Sequence, residues 1–181
     1  MALVAGNVRV GLTGTVYAAP AATAVPVSTA AALNAAFADV GYLSEDGVTT
    51  STATDTNDII AWQNGTLVRR VQTSHDFTLQ FTMIETNGAS LLLYFGNYTV
   101  GGAGSGSVQI TGAAAPRGAY VLHVVDGTDL IRIVIPDGQV TDRGEVSYVN
   151  GDSVGYDTTI TAYPDASGVK AYLYYETVGA S

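Results

Sequence analysis

Between Asp76 and Ile84 every second residue is large and apolar. Phe77, Leu79, Phe81 and Met83 fall on one side, and Thr78, Gln80 and Thr82 on the other. A period of two is a strand's period, with one face dry and one wet, and it excludes a helix there. The same grammar recurs along the chain. Ala119–Val125 and Leu130–Ile135 read as strands joined by Asp126-Gly127, a tight hairpin signal. Pro136-Asp-Gly138 reads as a turn into a strand over Gln139–Val149, and Asn150-Gly151 as a second tight turn into Tyr156–Tyr163. Pro164–Gly168 reads as the turn before a last strand, Val169–Thr177. Upstream, Gln63-Asn64-Gly65 separates Ile59–Trp62 from Leu67–Val71. Many short strands between turns predict a mainly β chain, an antiparallel β-sandwich or barrel.

Two segments carry helix signals. Ser28 is a candidate cap for a short helix over about 29–40, where Leu33, Ala36, Phe37 and Val40 share a face and Gly41 stops it. Asn87 to Phe95, capped by Thr86 or Asn87 and stopped by Gly96, is either a helix or a buried strand, because so short an apolar run has no decisive period. Ala18–Thr29, rich in Ala, Pro and Thr, reads as an extended connector. Gly101–Ser107 is a flexible Gly/Ser loop, and the Thr-rich stretch from Val48 is a long loop or solvated hairpin arm. With 181 residues and no internal linker, a single domain over 1–181 is expected.

The charge balance bounds the chemistry. Sixteen acids face seven cations, a formal net charge of −9, and such a surface repels phosphate. The absence of cysteine excludes disulfides, thiolate metal sites and a Cys nucleophile. Apolar runs are far shorter than a membrane span and no targeting segment is visible, so synthesis in a cytoplasm without membrane insertion is expected.

Each candidate catalytic pattern fails its own requirement. Gly151-Asp-Ser153-Val-Gly155 has the spacing of a nucleophile elbow, which needs a strand before it and a helix after it; here a hairpin turn leads into a strand. His75 and His123 both precede Ser153, whereas the triad order of that fold puts the histidine last. Asp55-Thr-Asn57-Asp58 opens like a calcium loop but places Ile59 and Ile60 where a ligand and a glycine belong. Gly101–Ser107 lacks the Lys of a phosphate loop. Glu45-Asp46 reads as a solvated acidic pair, and the eleven tyrosines as sheet or interface residues, with a carbohydrate-binding module as the alternative. No catalytic residue, cofactor site or metal site is assigned, and no enzyme is expected.

An ordered set of short motifs goes further. Gly6-Asn-Val-Arg-Val10 and Gly14-Thr-Val-Tyr-Ala-Ala-Pro20 are followed by Gly41-Tyr-Leu-Ser-Glu-Asp-Gly47, Ala61-Trp-Gln-Asn-Gly65 and Val68-Arg-Arg70. Phe77-Thr-Leu-Gln-Phe81, Ile84-Glu-Thr-Asn87 and Ala89-Ser-Leu-Leu-Leu-Tyr-Phe-Gly96 complete it. Over residues 1 to 96 the set resembles the major tail tube proteins of long, non-contractile-tailed (siphovirus-type) phages, especially those infecting actinobacteria. The resemblance implies a single tail tube domain with an extended amino-terminal arm over 1–27, a hairpin arm over 48–72, and a flanking helix over about 87–95. It implies hexameric rings stacked into a tube, located in the virion tail, that conducts the genome into the host. It implies partnership with other copies and with tape measure, tail terminator and tail tip proteins. Another ring-forming tube protein, such as a secretion-system subunit, shares these features.

Within that picture Trp62, Arg69 and Arg70 are the candidate inter-subunit contacts, Trp62 as an anchor and the arginines facing acids of a neighbour. As alternatives, Trp62 caps the core and the arginines are a solvated face. DNA is expected to pass through the lumen without specific binding, part of the acidic excess lining the inner wall.

Overall fold

The computed structural model describes residues 8–102 and 104–175. In it the alternating stretch forms the end of a longer strand, β4 (Leu67–Met83). Leu79, Phe81 and Met83 are buried and Gln80 is exposed, as the period of two requires. β4 lies between β3 (Leu43–Ile60) and β9 (Tyr156–Ala162). The path continues through β8 (Asp129–Arg143), β7 (Arg117–Asp126) and β1 (Thr13–Pro20) to the short β2 (Ala38–Asp39), while β10 (Tyr172–Tyr175) pairs with β8. All these pairs are antiparallel. A separate two-stranded ribbon joins β5 (Thr99–Val100) to β6 (Gly106–Ser107). The chain is therefore mainly β, with one helix among the described residues.

The sheet curls until β1 lies against β3. One face encloses the core, with Val16, Leu122, Ile135, Ile160, Phe81 and Met83. The helix α1 (Gly88–Phe95) adds Leu93 and Tyr94. Its start settles the ambiguous run: Asn87 accepts from the Ser90 amide at 2.8 Å, and Ser90 Oγ accepts from the Asn87 amide at 3.0 Å. Gly96 ends it in the left-handed conformation, φ 81°.

The sheet's other face is also covered. Ala119, Val121 and Val134 are fully buried but alternate with core residues, so they point the opposite way. Arg132 and His123 share this face. Arg132 Nη1 donates to the carbonyls of Ser28 (2.5 Å) and Ala31 (2.7 Å), tying an irregular strap onto it. This strap replaces the helix expected over about 29–40. Ser28 Oγ accepts from the Ala31 amide and Asn34 Oδ1 from the Ala36 amide, so side chains take the amides a helix would use. The supposed apolar face also divides: Val40 is buried whereas Ala36 is exposed.

Three further expectations are corrected. Pro136-Asp-Gly138 does not end a strand, because β8 runs through it. Gly118 pairs with Gly138 and Tyr120 with Ile135, so Pro136 and Asp137 bulge opposite Ala119. On β8's other side, β10 ends at Val134 and β9 begins at Gly138. Pro136 therefore falls where no ladder amide is needed. Asn150-Gly151 does turn, but within a long connection over 144–155 rather than a tight hairpin, since β8 stops at Arg143. Thr13–Pro20, expected in an extended arm, is a sheet strand paired with β7 along its length. Residues 1–7, Ala103 of the Gly/Ser loop, and Glu176-Thr177 of the expected last strand lie outside the described residues. That loop's Gly106 and Ser107 are paired in β6.

Candidate assembly surface: the projecting hairpin

β4 pairs with β9 only from Thr78 to Met83, yet it pairs with β3 out to Ile60–Leu67. Beyond the Thr52–Phe77 pair neither strand has another ladder partner, and Lys170 bonds the arm's base at His75 and Asp76. Eight further residues of β3 carry the hairpin roughly 25–30 Å past the rest of the sheet. The sequence explains where the arm departs. Phe77 is the last apolar residue of the core-facing set; His75, Gln72 and Arg70 continue that face outward in polar form, opposite Thr54, Thr56 and Asp58. Residues 49–60 are all exposed.

The tip reverses that polarity. Asn64 and Gly65 both take positive φ (58° and 63°) and close the turn. Around it Trp62 is 98% exposed, Val68 65% and Ile60 62%, with Ile59 and Leu67 also exposed. Five large apolar side chains gathered at one exposed tip mark an interaction site. Trp62 therefore does not cap the core.

The two arginines part company. Arg70 lies opposite Asp58 and grips it with Nε on Oδ1 and Nη2 on Oδ2. That bond holds the Asp58 carboxyl below its usual pKa. Arg70 thus meets an acid of its own hairpin. Arg69 lies opposite Ile59 and makes no ion pair among the described residues.

Two depressions also mark the surface. Where β1 and β3 approach, a groove of about 750 Å³ is lined by Asp39, Glu45, Asp46 and Glu85, with Tyr42 and Leu12 exposed beside them. In sequence Glu45-Asp46 reads as solvated charge, and nothing local marks Asp39 and Glu85, which only the curl of the sheet brings alongside. A second cleft of about 450 Å³, between the end of β1 and α1, is apolar, with Pro20, Leu92 and Pro116.

The other singled-out residues are dispersed. Ser153 is exposed in the 144–155 connection, its amide donating to Asp152. Asp55–Asp58 is extended strand, not a cation loop. His123 meets Tyr17 edge-on, ring centroids 5.1 Å apart, and burial aided by the nearby Arg132 charge pushes its pKa down to about 4. His75 is exposed on the arm's base. Tyr172 and Tyr174 stack on each other, and Tyr172 donates to Asp165, so both rings and the Tyr172 hydroxyl have partners within the chain.

A family profile described as phage tail tube protein matches residues 1–178. Among solved structures, the anti-feeding prophage cap, which terminates the tube, aligns at 9% identity with a TM-score of 0.47, covering 97% of this chain and all of that one. A chain of the native gene transfer agent virion aligns at 10% identity with a TM-score of 0.40, covering 80% of this chain and 92% of that one. No curated protein matches significantly in sequence.

Proposed function

The chain belongs to the phage tail tube protein family, and from that premise we propose that it assembles into hexameric rings stacked as the conduit for genome delivery. Membership makes it a structural component of the virion tail and not an enzyme. The observation that supports ring and tube assembly is the β3–β4 hairpin, which leaves the core and presents Trp62 with four other apolar side chains to solvent. A lone subunit gains nothing from exposing that surface, and a neighbour gains its burial, at about 25 cal/mol per Å². The arm meets a surface unlike itself, as a heterologous contact requires, and such contacts build closed rings or open filaments.

The electrostatics agree with a conduit. A net charge of −9 offers DNA few counter-charges, so the genome slides instead of binding. Part of the acidic excess lines the lumen in this reading, and a ring with a net basic inner wall would sink that detail. The long non-contractile tail, and partnership with tape measure, terminator and tip proteins, are part of the same proposal. Synthesis in the host cytoplasm belongs to it too.

Negative-stain electron microscopy of the concentrated protein tests the reading. Hollow tubes or six-membered rings are expected. Persistent monomers at high concentration would overturn it.

A further inference from the structure

Resting on the tube reading, we infer that the arm tip of one copy docks in the acidic groove between β1 and β3 of a second copy. Arg69 then faces the groove's carboxylates, and Trp62 packs over Tyr42 and Leu12.

The cations of the chain single out Arg69. Arg9, Arg70, Arg117 and Lys170 are ion-paired, while Arg132 and Arg143 donate to backbone carbonyls. Among the described residues, Arg69 alone of the seven has no such partner. The groove shows the converse. Four carboxylates line it, no Lys or Arg does, and among the described residues none of the four is ion-paired. Asp39 accepts from the Gly41 amide at 2.8 Å and Glu85 from the Tyr42 amide at 3.1 Å, so two of the acids are held in place before a partner arrives. An unpaired cation and an uncompensated acidic groove on the same chain are complementary.

Apolar character matches as well. Tyr42 is 78% exposed at the groove, and Leu12 is exposed beside it. The other cleft fits less well, because no acid lines it to receive Arg69. A chain cannot fill its own groove. β3 starts at the groove with Leu43 and ends at the tip with Ile60, roughly 55 Å away in an extended strand. Because donor and acceptor lie at opposite ends of one strand, the contact offsets each copy from the next and propagates.

The absence of cysteine makes the test direct. Gln63→Cys copies, which keep Trp62 and Arg69 at the tip, are mixed with Ser44→Cys copies and assembled under mild oxidation. A disulfide-linked dimer is expected in that mixture and not in a mixture with Leu92→Cys copies. Arg69→Glu is expected to raise the concentration needed for assembly about tenfold or more, and Glu45→Arg with Asp46→Arg in the same chain to restore much of the loss. Tubes that form without the Ser44 cross-link, that cross-link through Leu92, or that ignore Arg69→Glu overturn the groove contact and leave the tube reading standing. A wild-type chain that stays monomeric overturns both.

Discussion

Arg70 holds Asp58 across the two strands of the arm through paired contacts, Nε to Oδ1 at 2.6 Å and Nη2 to Oδ2 at 2.9 Å. The bond lowers the Asp58 pKa from its ordinary 3.8. A depressed carboxyl contributes what it contributes above its unfolded value, and loses it as pH falls through the lower folded one. Both side chains are solvent-exposed and remote from the core, so the pair orders the arm rather than stabilising the fold. Carboxyl NMR titration is expected to place Asp58 below 3.8, and to return it upward in Arg70→Ala. The unfolding midpoint should not move.

Leu79 behaves differently, although it lies only nine residues along the same strand. It is 1% exposed and packs in the cluster shared by β1, β7, β8 and β9. Leu79→Ala leaves a cavity at the place where the arm joins the body, and should cost about 2–5 kcal/mol in chemical denaturation.

These two positions also mark what sequence could and could not reveal. Phe77–Met83 was readable because one face is dry and the other wet, which imposes the period. Asp126-Gly127 and Asn64-Gly65 were readable because the positive φ at Gly127, Asn64 and Gly65 restricts the residue type. The strap was not readable: Leu33, Phe37 and Val40 have helical spacing, but what holds the segment is Arg132, a residue distant in sequence, bonding to Ser28 and Ala31. Pro136 misled for a related reason. Its strand continues because β10 hands over to β9 there, a fact of topology that no local signal carries. At the assembly surface, Trp62 and Arg69 stood out by type. The groove did not, since Asp39, Glu45 and Glu85 meet only when the sheet curls.

Asn87 is a local feature with a local cost. It caps α1 and also donates through Nδ2 to the Val40 carbonyl at 3.2 Å, joining the helix start to the end of the strap. Asn87→Ala should destabilise by about 1 kcal/mol, with thermal or chemical unfolding as the measure.

His123 makes an acid-sensitive contribution. Its pKa falls from 6.5 to about 4 on folding, so the folded state binds fewer protons between those values. Stability from this group is complete above 6.5 and is lost as pH drops toward 4. Its buried Nε2 has no hydrogen-bond partner among the described residues, so an apolar ring at this position forfeits no bond made by that atom. His123→Phe should therefore fold, keep an edge contact with Tyr17, and gain on the wild type as pH falls across that window. A denaturation series from pH 7 to about 4 measures the difference. Parallel curves would sink the assignment.

The sharpest separation of fold from assembly comes from removing the arm. Ala53 and Asp76 are register partners, so excising residues 54–75 and joining them through Asn-Gly recloses the hairpin in a compatible turn. Phe77 and the core cluster are untouched, and Asp76 is retained for Lys170. What is lost is exposed surface: residues 54–60 of β3, the Trp62 tip, and the outer part of β4. The shortened chain should be monomeric and unfold cooperatively, with a midpoint close to that of the full chain. Mixed in excess with full-length protein, it should not enter tubes as a tip donor, but its groove remains open to the arms of intact copies. Electron microscopy and sedimentation would then report short tubes, capped where truncated copies have added. A truncated chain that builds tubes by itself would show that the arm is dispensable and place the subunit contacts elsewhere on the sheet.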